Sequence, residues 1–252
     1  DPGNARGMYL AQSVSGLAGA VDFEHNAVPA KSSRLISFKA LKDATKKMRS
    51  LRASSEPTLQ QRDAAEKLWS AWSGAMRWLD IAQDDIAAEY RQEALGLHGI
   101  MVNAMGMATA RMLQTRPLDS IVSLLACAEQ GENGFHYRDS FVHENWHDIC
   151  VDPQTGTIRT DRRALEATAI ELQRLVDPFA ECAWLRPYLG DEVPDTTLQK
   201  FNAGIVTLKE ETGLPQIAVV EKLEQLRDAD EQARSRIVGT LRAFKKFIAE
   251  AV

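Results

Sequence analysis

The spacing of apolar residues along the chain predicts a protein built almost entirely from helices. One apolar stripe recurs at intervals of three and four residues with one adjacent pair, and it comprises Leu68, Trp69, Trp72, Met76 and Leu79. Spacing of this kind places side chains on one face of an α-helix, and aromatic residues on such a face are typical of a core. The strict alternation typical of strands is nearly absent. We therefore predict an all-α fold, a multi-helix globular bundle.

A long apolar run from about residue 86 to residue 114 is predicted to be a single central helix around which the bundle packs. Gly96, Gly99 and Gly106 lie within this run, among several methionines. Each glycine in a helix costs about 1 kcal/mol relative to alanine. The repeated cost indicates that another backbone approaches this helix closely.

The stretch GDEVPDTT, residues 190–197, is the best candidate for a linker, because it is acidic, contains a proline and lacks apolar periodicity. We therefore predict a helical domain over residues 1–190 and a C-terminal helical extension over residues 191–252.

The composition is that of a soluble globular protein, with 252 residues of which 44% are hydrophobic and 26% charged. No apolar run approaches the roughly 20 residues that span a bilayer, so no membrane partner is expected. Cys127, Cys150 and Cys182 form no CxxC pair, which argues against a zinc ribbon or a disulfide framework and favours the cytoplasm. The first residue is Asp1, which is compatible with a C-terminal piece of a longer protein.

The most unusual stretch is KSSRLISFKALKDATKKMRSLR, residues 31–52, where eight basic residues accompany a single acid, Asp43, in a chain of net charge −5. Apolar residues at helical spacing, with Ser37 as N-cap, predict a helix that has a basic flank. Clustered cations attract polyanions and gain from counterion release. The predicted nucleic-acid-binding residues are Lys31, Arg34, Lys39, Lys42, Lys46, Lys47 and Arg49. The alternative is a solvated helix face without a partner.

A second motif, HExxH, is formed by His143, Glu144 and His147. On an α-helix it would place both imidazoles one turn apart as zinc ligands, with Glu144 as general base. Glu166, on a following helix, could supply the third ligand. This pattern makes a zinc metallopeptidase the first alternative function.

Three features count against the peptidase. Asp148 puts a charge where such helices normally carry an uncharged residue, Pro153 leaves the helix little room, and no upstream strands are predicted to bind a substrate. The structural alternative is that Phe141 and Trp146 pack inward while the histidines are polar surface. The sequence also has no Gly-rich phosphate loop and no GxSxG elbow. We therefore predict no catalytic residue and no cofactor, and whether the chain is an enzyme stays open.

The run VDFEHNAVPAKSSRLISFKALKDATKKM, residues 21–48, resembles a segment of the DndB family, the DGQHR-domain proteins associated with DNA phosphorothioate modification. The positions that carry this resemblance are Val21, Asp22, Glu24, Asn26, Ser32, Ser33, Leu35, Ile36, Ser37, Ala40, Leu41, Ala44 and Thr45. Three later stretches resemble the helical C-terminal region of the same family: Trp69 with Trp72, residues 89–106, and residues 152–161. The resemblance spans roughly residues 8–176.

The resemblance implies a bacterial cytoplasmic protein that acts on DNA, similar to a transcriptional regulator of a DNA-modification and defence gene cluster. It implies DNA as a partner, adds protein partners in a modification complex, and is compatible with a homo-oligomer. The DGQHR motif itself does not occur in this chain, so its chemistry is assigned to no residue here. A second alternative is a protein–protein scaffold, in which the Met-rich central helix and the acidic C-terminal helices dock a partner.

Overall fold

The computed structural model describes residues 2–48, 59–131, 135–190 and 192–250, and these ranges are mostly helical. The prediction of an all-α fold is confirmed. The chain divides into two compact units, Asp1–Asp177 and Pro178–Val252. Within the described ranges no helix is both long and apolar enough to cross a bilayer.

The first unit contains eight of the described α-helices and a short parallel pair of strands. The strands are β1 (Val21–Asp22) and β2 (Ile36–Ser37). The helices are α1 (Pro2–Ser13), α2 (Phe38–Met48), α3 (Leu59–Ala75), α4 (Trp78–Gln83), α5 (Ala87–Glu93), α6 (Gly99–Met112), α7 (Leu118–Gln130) and α8 (Arg162–Val176). The last of these begins at an N-cap, where the Asp161 carboxylate accepts hydrogen bonds from the backbone N–H groups of Arg163 and Ala164.

The aromatic stripe of α3 lies in the core of the first unit. Trp69 and Trp72 are fully buried, and each indole finds a polar partner on a neighbouring helix. Trp69 Nε1 donates to Thr45 Oγ1 at 3.0 Å, and Trp72 Nε1 donates to Thr109 Oγ1 at 2.9 Å. The prediction that these aromatics form core is confirmed. Leu79 is exposed, because α3 ends before it and the chain turns at Arg77, which is left-handed.

The prediction of one continuous helix from about 86 to 114 is wrong. The segment consists of α5, a 3-10 turn at Leu95–Leu97, and α6, with extended backbone at Ala94 and His98. The break is stabilised by packing, since the Tyr90 hydroxyl and the Met76 methyl occupy the space where a side chain of Gly96 would lie.

The close backbone approach expected in this segment is confirmed at a single position. A Cβ on Gly106 would collide with the carbonyl oxygen of Ala44, so α6 packs with its backbone against α2. The place of α2 on the first unit is therefore set by a contact that only glycine permits.

The second unit is a smaller helical assembly with its own core. Its helices are α9 (Arg186–Leu189), α10 (Asp195–Thr212), α11 (Gln216–Arg227), α12 (Glu231–Val238) and α13 (Leu241–Ala249). Cys182, Leu185 and Leu189 are buried in that core. These residues precede the acidic stretch 190–197, and the second compact unit begins before that stretch, at Pro178. The domain boundary at 190/191 stays a prediction.

Candidate nucleic-acid interface

The start of α2 is fixed by the strand pair and by Ser37. Val21 pairs with Ile36 and Asp22 with Ser37 in parallel register. The Ser37 hydroxyl accepts from the backbone N–H of Ala40 at 3.2 Å, which confirms the predicted N-cap. The same hydroxyl donates to the carbonyl of Asn26 at 2.9 Å. One buried serine therefore ties the first turn of the basic helix to the loop that follows β1.

Asp22 shapes the turn at residues 22–25. Its carboxylate is buried and accepts hydrogen bonds from the backbone N–H groups of Glu24 at 2.9 Å and His25 at 3.1 Å. The ring Nδ1 of His25 lies 3.1 Å from the other carboxylate oxygen. Burial raises the pKa of Asp22, but these hydrogen bonds outweigh it and hold the pKa below its ordinary value. The turn is thus organised around an ionised carboxylate.

Arg91 on α5 holds the loop that leads from this turn into β2. Its buried guanidinium donates to five backbone carbonyls, those of Pro29, Ala30, Ser32, Arg34 and Leu35. Burial lowers the pKa of Arg91, while the nearby carboxylate of Asp22 acts in the opposite direction. The Arg91 guanidinium therefore supplies carbonyl groups of this irregular loop with hydrogen bonds that regular secondary structure would otherwise provide.

Sequence reasoning missed Arg91. The signal was present, because Arg91 shares the buried side of α5 with Ala87 and Tyr90. A basic residue at an apolar position of a helix is rarely buried without partners, so it points to acceptors nearby.

The outer side of α2 forms one wall of a groove. The buried residues of this helix are Ala40, Leu41, Ala44, Thr45 and Met48. Lys39, Lys42 and Lys46 follow one another at intervals of three and four residues and so lie on one helix face. They line a groove of about 380 Å³, which we call the lysine groove. Its remaining lining residues are Phe23, Glu24, His25, Asn26, Phe38 and Asp43.

The three lysines of this groove differ in their contacts. Lys39 Nζ lies 2.6 Å from the carboxylate of Asp43, one helical turn away. Burial raises the pKa of Asp43, but the hydrogen bond and charge of Lys39, aided by the charges of Lys47 and Lys46, outweigh it and lower the pKa. Lys42 Nζ lies 5.9 Å from the centre of the Phe38 ring. Lys46 is exposed.

The other predicted basic residues do not join this groove. Lys47 turns inward, where its Nζ donates to Asn103 Oδ1 at 2.7 Å and burial lowers its pKa. Arg34 donates to the carbonyl of Gly19 and lines a neighbouring groove of about 270 Å³. Lys31 is exposed on the loop before β2. Arg49 lies outside the described residues. The structure thus brings together three of the seven predicted residues.

The turn Phe23–Glu24–His25 separates the two grooves, because all three residues line both of them. We call this turn the aromatic ridge. The side chain of Phe23 is 53% exposed, and its ring packs on Phe38 with the centres 5.2 Å apart. Sequence reasoning named Glu24 among the positions that carry the family resemblance and did not single out Phe23 or His25.

The HExxH residues do not lie on the α-helix that a zinc site of this kind requires. The segment forms two short 3-10 turns, Asp139–Phe141 and His143–Trp146, and Asp148 is left-handed. Packing accounts for the irregular path. The rings of Phe141 and Trp146 stack with centres 5.9 Å apart, and Trp146 Nε1 donates to the carbonyl of Ser140 at 2.9 Å.

The predicted zinc ligands are not assembled. His143 contacts His98, with ring centres 6.1 Å apart, and Glu166 pairs with Arg162 at 2.8 Å. His147 follows the 3-10 turn in an extended conformation, so it does not stack one α-helical turn above His143. Across the described ranges, His, Cys, Asp and Glu side chains form no cluster of three that could hold a metal ion. The geometry on which the metallopeptidase hypothesis depends is therefore missing.

Comparison with known protein families gave a match over most of the first unit. Residues 1–174, more than half of the chain, match the family model DndB, described as DNA-sulfur modification-associated. No curated protein and no solved structure matches the chain. The matched range contains the lysine groove, the aromatic ridge and Arg91, and it ends close to the division between the two units.

Proposed function

The chain belongs to the DndB family of DNA-sulfur modification-associated proteins, and we propose on that basis that it binds DNA through the lysine groove. Its role would be that of a DNA-binding regulator or accessory protein of a bacterial DNA sulfur modification and defence system. The observation that carries this proposal is the alignment of Lys39, Lys42 and Lys46 along a single groove.

Charge and geometry both favour a phosphate-bearing ligand. The groove lining has a formal net charge of +1 with His25 neutral, although the chain as a whole carries −5. The Asp43 carboxylate pairs with Lys39, and Glu24 belongs to the turn after β1, so α2 contributes three lysines and one carboxylate to the lining. Lysine ammonium groups contact phosphates as point charges and position a protein on DNA without reading its sequence.

The decisive experiment reverses two of these charges. We expect Lys42→Glu plus Lys46→Glu to weaken DNA binding at least about tenfold in a fluorescence anisotropy titration at low salt, because two phosphate contacts become repulsive. The matched control is Lys200→Glu plus Lys246→Glu, which makes the same change in net charge at two exposed positions of the second unit. Circular dichroism should show the same helicity for both variants. Unchanged DNA binding by the folded Lys42/Lys46 variant would reject the proposal, and an equal loss in the control would reject its location.

Salt dependence gives a second, quantitative test. Three phosphate contacts on duplex DNA predict that log K falls against log salt with a slope of about −3, at roughly 0.9 per phosphate. Seven contacts, one for each basic residue predicted from the sequence, would give about −6. A slope near zero would contradict phosphate binding altogether.

A further inference from the structure

The aromatic ridge presents a ring whose place in the structure is not explained by core packing. Phe23 is 53% exposed, although large apolar side chains are usually covered. One side of its ring rests on Phe38, which is itself partly buried at the start of α2. The ring is therefore held in position while much of it faces solvent.

The backbone beneath this ring is fixed by buried polar groups. Asp22, directly before Phe23, accepts the N–H groups of the two residues that follow the ring. The Asn26 carbonyl is held by Ser37. A surface turn with this many internal hydrogen bonds loses little conformational freedom when a ligand binds, which favours recognition.

The two walls of the lysine groove have different chemistry. The lining residues from α2 are Phe38, Lys39, Lys42, Asp43 and Lys46, whereas the turn after β1 contributes Phe23, Glu24, His25 and Asn26. The two parts of a nucleotide match these two sets of residues. Its phosphate is anionic and suits the lysines, while its base offers a flat face and N–H groups to the turn. The carboxylate would repel a phosphate from the ridge side and accept hydrogen bonds from a base edge.

The size of the groove limits what can enter. A volume of about 380 Å³ lies at the lower end of the range of about 300 to 1,000 Å³ typical of clefts for small ligands. One nucleotide fits such a space, while the stacked interior of a duplex keeps its base faces covered. A base can meet an aromatic ring face to face only when it is unstacked.

We propose that Phe23 is a stacking surface for an unpaired base, so that the lysine groove holds one nucleotide of single-stranded DNA. The phosphate lies against Lys42 and Lys46, and the base lies on the Phe23 ring beside Glu24 and Asn26. The inference rests on the proposed function, because it assumes that the groove binds DNA, and it adds the strandedness and the orientation of the bound nucleotide.

The test compares single-stranded and duplex DNA. A single-stranded oligonucleotide containing 2-aminopurine and the corresponding duplex are titrated with the full chain, following anisotropy and base fluorescence. We expect Phe23→Ala to weaken single-strand binding about tenfold, the size of one lost base–aromatic stacking contact, and duplex binding less than about twofold. Phe23→Trp, which keeps an aromatic face, should retain single-strand binding. Ile217→Ala, which removes an apolar side chain that is 64% exposed in the second unit, serves as the control.

Each outcome separates this inference from the proposal on which it rests. If Phe23→Ala leaves single-strand binding unchanged, or weakens both forms of DNA equally, the stacking assignment is wrong, while the effect of the Lys42/Lys46 variant still supports DNA binding. Duplex binding without any single-strand binding by the wild-type chain would lead to the same conclusion. If the Lys42/Lys46 variant binds both forms normally, both ideas fail.

Discussion

Two of the grooves in the first unit have opposite charge, and they are built in different ways. The lysine groove lies between α2 and an irregular turn. A larger groove of about 640 Å³, which we call the acidic groove, is lined by residues of α3 and α7. Its lining residues are Asp63, Glu66, Lys67, Ser70, Ala71, Asp119, Val122, Ala126 and Glu129, with a formal net charge of −3.

The acidic groove needs only two helices packed side by side, whose exposed faces supply its walls. The lysine groove depends on the buried polar contacts of Asp22, Ser37 and Arg91, and on the close approach of α2 to α6 at Gly106. The acidic groove should therefore tolerate substitution, whereas single changes far from the lysines should disable the lysine groove.

The largest effect is expected from Arg91→Met. The Pro29 carbonyl keeps the backbone N–H of Ser32 as a donor, whereas the carbonyls of Ala30, Ser32, Arg34 and Leu35 lose the guanidinium. We expect a loss of about 3 kcal/mol in the free energy of unfolding, together with loss of DNA binding. Urea denaturation and anisotropy titration measure the two quantities. Arg91→Lys, which keeps a charge but cannot span the same set of carbonyls, should fall between wild type and Arg91→Met. An unchanged urea midpoint for Arg91→Met would show that the hydrogen bonds of Arg91 do not stabilise the first unit.

A pair of glycine substitutions compares the two grooves directly. In Gly106→Ala the new Cβ collides with the backbone of Ala44, so we expect a loss of about 1 to 3 kcal/mol and weaker DNA binding as α2 shifts. In Gly74→Ala, on α3, the new Cβ meets only the end of the Glu129 side chain, which can move away. There the helix should gain up to about 1 kcal/mol from the better propensity of alanine.

Thermal unfolding of the two alanine variants gives the comparison in one experiment. A similar change in the melting temperature for both would show that the two grooves do not differ in their tolerance of substitution.

A smaller effect, of the opposite sign, is expected from Asp43→Asn. Removing this carboxylate releases Lys39 from its ion pair and raises the positive charge of the lysine groove, so DNA affinity should rise about two- to fivefold. The cost in stability should stay within about 0.5 kcal/mol, as for other exposed helix ion pairs. Asp63→Asn in the acidic groove makes the same change of charge and should alter affinity by less than about twofold. A decrease in affinity for Asp43→Asn would show that Asp43 supports binding and does not compete with it.

Local signals in the sequence were sufficient for much of the fold. The apolar period predicted helices and the buried tryptophans, and a serine before an amphipathic run predicted the cap at Ser37. These features depend on residues within a few positions of one another, which is the range that periodicity and capping describe.

The features that were predicted wrongly, or not predicted, depend on contacts between residues distant in the chain. The break before α6 arises where Met76 and Tyr90 fill the space beside Gly96, and the inward direction of Lys47 arises from Asn103 on another helix. The HExxH spacing matched a helix, but the burial of Trp146 directed the chain into a 3-10 turn. The excess of basic residues in this stretch is visible in the sequence, but charge alone does not show that Lys47 points inward while Lys39, Lys42 and Lys46 line one groove.

The buried ion pair between Arg116 and Asp177 has a practical consequence for producing a shortened protein. Arg116 Nε donates to Asp177 Oδ2 at 2.7 Å and an Nη donates to Oδ1 at 2.9 Å, with both side chains almost fully buried. Ending an expression clone at residue 174, where the family match stops, would delete the carboxylate and leave the guanidinium with a buried charge, a change that typically costs about 3 to 5 kcal/mol. A clone that extends through Asp177 keeps both partners of this ion pair and is the appropriate starting point for crystallisation or NMR of the first unit.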